Sequence, residues 1–283
     1  MFTATVLPWL QRKHAAGPSC FAAFRTAGVP ESELAERLRD VIAGHTTVTW
    51  AFYPGWGGVD VKLRRAGSPD ATWEELCRDT RAVLGSNVYS ENPDESLAEV
   101  VQHALVAHGW TLAVAESCTG GLLGARLTDP AGASACFTGG FITYANEAKE
   151  RWLDVPAEVL RVHGAVSAEC ALAMARGARR RASSDIAVAV TGIAGPTGGT
   201  PEKPVGLVFL ALDAEGAAST RRLQLFTQRE LNRYAASQLA LDMVRRFLAG
   251  LPAGDPAPGD RSPHDPPRRD ASRGAPPSAG RPA

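Results

Sequence analysis

The stretch Thr111–Gly121, TLAVAESCTGG, runs from an apolar segment directly into a serine, a cysteine, a threonine and two glycines, and LLGARLT follows. TLAVAE reads as a strand and GGLLGARLT as the start of a helix, so three side chains with nucleophilic or hydrogen-bonding groups stand at a strand-to-helix turn. Outward from this stretch, strand-like runs alternate with helical ones. GGFITYA (139–145), DIAVAVTG (185–192), VGLVFLAL (205–212) and TRRLQLF (220–226) are interleaved with SAECALAMARGARRR (167–181) and ELNRYAASQLALDMVRRFL (230–248). DIAVAVTG and VGLVFLAL are continuously apolar, as strands covered on both faces are. The pattern predicts an α/β fold, a three-layer α/β/α sandwich with a mixed sheet, over 93–249. Its first helix carries Leu97, Val101, Ala104 and Leu105 on one face, with Asp94 as the expected N-cap and Gly109 as the stop.

Residues 17–92 predict a separate small α+β unit. In PESELAERLRDVIAG, Leu34, Leu38, Val41 and Ile42 line one helical face between Pro30 and Gly44. TVTWAFYP and VDVKLRRAG are strand-like runs joined by the glycine-rich turn Gly55–Gly58, and ATWEELCRDTRAVLG is a second helix. The order is β-α-β-β-α. Residues 250–283 are rich in proline and lack aromatics, a composition that cannot bury enough apolar surface to order itself, so a disordered tail is expected there.

Bulk properties narrow the function classes. Among 283 residues, Lys plus Arg and Asp plus Glu number 30 each, so net charge offers no argument for nucleic acid. The five cysteines are scattered without a C-x-x-C pair, which argues against a disulfide framework and against a zinc site. No apolar run approaches the roughly 20 residues that span a bilayer, and the amino terminus is too polar for a signal peptide. A cytoplasmic location is the expectation.

Chemistry concentrates in the loops that follow strands, where open α/β sheets bind ligands. SCTGG follows TLAVAE, and TGIAGPTGG follows DIAVAV; glycine permits positive φ and close backbone approach, and free amides can hold an anion or an oxyanion. FITYANEAK adds Tyr144, Asn146 and Lys149. A lysine in a desolvated site loses its proton and can serve a serine or threonine hydroxyl as a base; otherwise it is a solvated residue in the first turn of a helix. His163 is either a base or a loop histidine. Cys118 is a rival to Ser117, since a helix N-terminus activates thiols, but no histidine partner is evident.

Five ordered motifs, AESCTGG, FITYANEAK, HGAVSAE, AVTGIAGPTGGTPEKPVG and RELNR, resemble the C-terminal domain of the CinA competence/damage-inducible family, a nicotinamide-nucleotide amidase. FRTAGVPESELAERL and the hairpin after it resemble the family's KH-like module. The resemblance implies hydrolysis of the carboxamide of nicotinamide mononucleotide (NMN), without cofactor or metal, in a homo-oligomer. It implies Ser117 as nucleophile, Lys149 as base and Tyr144 beside them. Thr119, Gly120, Gly121, Asn146, Thr191, Gly192, Gly195, Arg229 and Arg233 become candidates for substrate contacts. Where the family reads G-D-R-E, this chain reads Thr227-Gln228-Arg229-Glu230. The family's usual chain begins with a molybdopterin-binding-like domain, and residues 1–16 read as a remnant of its end. Two alternatives are an inactive nucleotide-binding or scaffold protein, and an RNA contact through Gly55-Trp56-Gly57-Gly58, which has G-x-x-G spacing; a nucleic-acid partner is not expected.

Overall fold

The computed structural model describes residues 2–6, 8–9 and 17–252; the readings of 10–16 and of 253–283 lie outside these residues. The amino-terminal unit contains β1 (Ser19–Thr26), α1 (Glu31–Arg37), α2 (Arg39–Gly44), β2 (Thr49–Gly55), β3 (Gly58–Ala66), α3 (Ala71–Leu84) and β4 (Val88–Ser90). Its antiparallel sheet has the order β2-β3-β1-β4. The expected β-α-β-β-α order is present, with two differences. The first helix divides at Leu38 (φ −88°, ψ −2°), although the bonds Leu38 N–Leu34 O and Ile42 N–Leu38 O carry the ladder through. The added strand β4 spans three residues, too few to display an alternation.

The second unit comprises α4 (Leu97–His108), β5 (Leu112–Glu116), α5 (Leu122–Thr128), β6 (Phe137–Ile142), α6 (Asn146–Leu153), α7 (Ala157–Val162), α8 (Ala168–Ala182), β7 (Ile186–Gly192), β8 (Leu207–Ala214), β9 (Ala217–Gln224) and α9 (Arg229–Leu248). The sheet order is β6-β5-β7-β8-β9; β5 runs parallel to β6 and β7, while β8 and β9 are antiparallel, so the sheet is mixed.

Alternate residues of the buried strands feed two different cores. Leu112, Val114, Val188, Val190, Leu210 and Leu212 pack with α4, α5 and α9 on one face. Ala113, Ala115, Ala187, Ala189 and Ala211 pack with α6 and α8 on the other. On the same side α8 packs tightly against the end of α6, where a side chain on Gly177 would meet the Leu153 carbonyl at 2.0 Å. The alternation is therefore large against small, rather than apolar against polar.

The N-cap of α4 is Ser96, not Asp94. The Ser96 hydroxyl accepts from Glu99 N (3.2 Å) and the Glu99 carboxylate accepts from Ser96 N (2.6 Å), a reciprocal capping box set by the S-x-x-E spacing directly before Leu97. Gly109 closes the helix with φ 66°, as expected.

The two units meet across α9, which is buried almost all round. The β2–β3 turn packs on it, with the Cβ position of Gly57 3.0 Å from Gln238 Cβ. Further along, the fully buried Asp242 carboxylate binds Arg245 (2.6 Å) and Arg246 (2.8 Å), and both guanidinium groups also reach Ser86 of the amino-terminal unit. Removing the carboxylate leaves two cations in the interface without their partner. Asp242→Ala is expected to cost about 3–5 kcal/mol of unfolding free energy. Urea denaturation measures it; a loss below about 1 kcal/mol, the range of an exposed pair, contradicts the assignment.

Candidate active site

Strand β5 ends at Glu116, and Ser117 is fixed immediately beyond it by its backbone N–H, which donates to Val190 O of β7 (2.9 Å). On the other side β6 ends at Ile142, earlier than the run GGFITYA suggests. The carbonyls of Thr143 and Tyr144 thereby leave the ladder and turn to Lys149 in the first turn of α6. Lys149 Nζ lies 2.9 Å from Thr143 O, 3.2 Å from Tyr144 O and 3.2 Å from Ser117 Oγ. Lys149 is 1% exposed and Ser117 8%. It is not a solvated helix residue.

Burial lowers the Lys149 pKa below the ordinary lysine value, against smaller opposing contributions from Cys170, Cys118 and Glu147. A neutral amine has two N–H donors and one lone pair. Two carbonyls take the donors, and the lone pair is left for the Ser117 hydroxyl. The three oxygens accept the three N–H groups of a charged amine equally well, with Nζ donating to Ser117 Oγ; it is burial that biases the amine toward the neutral form able to take the serine proton.

Cys118 points to the opposite conclusion for itself. Burial, followed by the nearby Glu116 charge, pushes its thiol up to about 12. At neutral pH it stays protonated, and the activation that a helix N-terminus gives an accessible thiol is absent.

The loop amides are allocated differently from the sequence reading. Gly120 N donates to Ser117 O (3.1 Å) and Gly121 N to the Glu116 carboxylate (2.9 Å), so neither is open to a ligand. Both glycines have positive φ, 58° and 94°, which explains their residue type. Among the described residues the Thr119 N–H has no acceptor, and the Cys118 N–H faces only its own thiol. They are the uncommitted donors of the turn. The Thr119 hydroxyl is buried without a hydrogen-bond partner among the described residues, as is that of Thr143.

The remaining predicted residues divide into those at the site and those that build its walls. Tyr144 is 60% exposed; its carbonyl, not its phenol, holds Lys149, and the phenol oxygen lies 3.3 Å from Arg229 Nη2. Arg229 also donates to Gly195 O (3.0 Å), and so joins the β6–α6 and β7–β8 loops. Arg233 chelates the Thr119 carbonyl through Nε and Nη2 (3.1 and 2.8 Å). Asn146 opens α6 at the surface.

Thr191 is buried and its hydroxyl donates to Ala165 O (2.7 Å), an internal tie rather than an open ligand group. Gly192 is explained by packing, because a Cβ there would lie 2.7 Å from Leu207 O. His163 sits half-exposed, 3.5 Å from Glu169.

Three residues escaped the sequence reading. Glu116 is described below. Lys203, in the PEKP portion of its motif, donates to His163 O and Val166 O (2.7 and 2.8 Å) and clasps two loops together. Asn232, inside RELNR, is buried and bridges Ala194 and Phe226. A polar residue inside an apolar helical face was the signal for the last.

The chain thus combines a three-layer α/β/α domain, carrying a buried serine–lysine pair just beyond the carboxyl end of the interior strand β5, with a small α+β module. Residues 94–248 match the CinA C-terminal domain and residues 23–90 the damage-inducible protein CinA KH domain. The chain belongs to the CinA family. It is 45% identical over 265 residues to a CinA-like protein of Gemmatimonas aurantiaca, covering 92% of this chain and 61% of that one. A CinA-like protein of Parasynechococcus marenigrum is 45% identical over 258 residues, covering 88% and 60%. The chain thus spans about three fifths of the length of the curated relatives it matches. Among solved structures, the competence/damage inducible protein CihA of Agrobacterium tumefaciens aligns with TM-score 0.53 and 44% identity over 54% of this chain and 93% of that one. A CinA superfamily protein of Klebsiella pneumoniae aligns with TM-score 0.53 and 38% identity over 55% and 99%. No helix among the described residues is long and apolar enough to cross a membrane.

Proposed function

We propose that the chain is a serine–lysine amidase that hydrolyses the carboxamide of NMN to nicotinic acid mononucleotide and ammonia. The observation that carries this reading is the 3.2 Å approach of Lys149 Nζ to Ser117 Oγ at a buried position where the amine is biased toward neutrality. Neutral Lys149 takes the Ser117 proton as Oγ attacks the carboxamide carbon. The developing oxyanion is met by the Cys118 and Thr119 N–H groups. Lys149 returns the proton to the departing nitrogen, and ammonia leaves an acyl-serine. A water molecule, deprotonated by the same amine, releases the carboxylate and restores Ser117. The electron-poor pyridinium ring makes an otherwise weak electrophile reactive.

Ammonia release from NMN by the purified full chain, with and without EDTA, tests the reading. Release that survives EDTA supports it; no release in either condition overturns it in favour of a scaffold. Cys118→Ala is expected to keep at least about half the rate, because a thiol with a pKa of about 12 is not ionised at neutral pH. Inactivation by a thiol-alkylating reagent from which NMN protects the enzyme would reverse the assignment.

An RNA-binding reading finds less support. The G-x-x-G segment is the β2–β3 hairpin turn, with Gly55 paired to Gly58, and its Gly57 rests on Gln238 of α9.

A further inference from the structure

Glu116 is 1% exposed and stands directly before Ser117. Its carboxylate accepts three backbone N–H groups: Gly121 N (2.9 Å) and Leu123 N (3.1 Å) on Oε2, and Gly124 N (2.8 Å) on Oε1. A buried carboxylate is costly unless its oxygens are satisfied, and here charge-assisted bonds and the amino-terminal end of α5 satisfy them. Gly124 reinforces this, since a Cβ there would lie 3.4 Å from Oε1. The backbone of Glu116 is held as well, its carbonyl accepting from Thr143 N (2.8 Å).

The consequence lies in the geometry of the turn. Ser117, Cys118, Thr119 and Gly120 form a short loop whose entry is β5 and whose exit is clamped back onto the last residue of β5. Closing the loop through the Glu116 side chain fixes where Ser117 Oγ stands relative to Lys149. It also consumes the Gly121 amide, leaving the Cys118 and Thr119 N–H groups as the donors beside the nucleophile. Arg233 holds the middle of the same loop from outside through the Thr119 carbonyl. We infer that Glu116 is a positioning residue, which shapes the SCTGG turn so that Ser117 faces Lys149 and only the following two amides remain free. The inference rests on the amidase reading for its kinetic consequence and on the loop geometry for its structural one.

The test compares wild-type chain with Glu116→Gln and Glu116→Asp. A glutamine amide presents donors to at least one of three donors, so one N–H loses its acceptor; an aspartate keeps the charge but falls one methylene short. With NMN as substrate, Glu116→Gln is expected to lower kcat at least 100-fold while KM stays within threefold, and Glu116→Asp to fall between it and wild type. Backbone hydrogen exchange at Gly121, Leu123 and Gly124 is expected to accelerate in Glu116→Gln, with protection in α9 unchanged.

A kcat within threefold of wild type for folded Glu116→Gln overturns the inference while the amidase reading stands. If Glu116→Gln does not fold, Glu116→Asp decides: an intermediate kcat at unchanged KM supports the positioning role, and a wild-type kcat overturns it. If the wild-type chain itself releases no ammonia, the amidase reading fails. The exchange measurement then decides alone, and unaltered protection at the three amides overturns the clamp.

Discussion

Replacing Ser117 with alanine is expected to reduce NMN deamidation by about 10⁴-fold or more, the order seen when a covalent nucleophile is removed. The reasoning starts from the chemistry. A carboxamide resists attack by water at neutral pH, and the other groups of the turn offer no substitute for the lost oxygen. The Cys118 thiol is pushed up to about 12 and is buried. The Thr119 hydroxyl is buried too, and Lys149 Nζ makes its hydrogen bonds to Ser117 Oγ, Thr143 O and Tyr144 O instead. Alanine at a small buried position causes little disturbance, so the melting temperature should shift by no more than a few degrees. Residual activity within tenfold of wild type, at an unchanged melting temperature, would move the nucleophile elsewhere. Mass spectrometry gives a second readout: an acyl adduct trapped at low pH should sit on the peptide containing Ser117 and vanish in the variant.

The layers of the fold were legible because hydrophobic periodicity is a local signal. DIAVAVTG and VGLVFLAL announced strands buried on both faces, and both are central in the sheet. What periodicity does not carry is the size difference between the faces. The alanines of β5 and β7 look merely apolar in sequence, and only their packing against Ala171, Met174, Ala175 and Ala178 of α8 shows that one face of the sheet is built small. The cap of α4 shows a similar limit. Asp94 and Ser96 are both good caps, and the decision came from Glu99, three residues beyond Ser96.

The site was legible by residue type and less so by role. Ser117 and Lys149 are brought together, but the spacing of FITYANEAK alone favours a solvated lysine. What removes that alternative is the end of β6 at Ile142, which frees two carbonyls toward Nζ, and strand ends are poorly fixed by local pattern. The glycines of SCTGG were read as ligand donors because positive φ and anion binding often coincide. The competing acceptor, Glu116, ends β5, and no local pattern marks its carboxylate as turned toward the loop amides. Similarly, Thr191 and Gly192 occupy a loop of the right kind, yet their groups are spent on Ala165 and on β8.

Lys149 carries the second large effect, and here the sign of the pH dependence is fixed. Burial lowers its pKa, so the neutral, proton-accepting amine gains population as pH rises through a value below that of ordinary lysine. The kcat/KM of the wild type should therefore climb with pH along a limb whose midpoint lies below 10.5, the ordinary lysine value. Lys149→Met and Lys149→Arg should each lose about 10²–10⁴-fold in kcat, the first because no base remains. The arginine fails for another reason: a guanidinium stays protonated and cannot accept the serine proton. Because the serine and the lysine act as a unit, Ser117→Ala/Lys149→Met should be no slower than Ser117→Ala alone. Stability follows the same linkage. The unfolded chain holds the lysine proton up to 10.5, while the folded chain releases it at lower pH, so folding stability rises with pH between those two points. Lys149→Met removes that contribution, and its unfolding free energy should lose that part of the rise across the window. A wild-type rate limb centred at the ordinary lysine value, or one that falls with rising pH across this range, would remove Lys149 from the role of base.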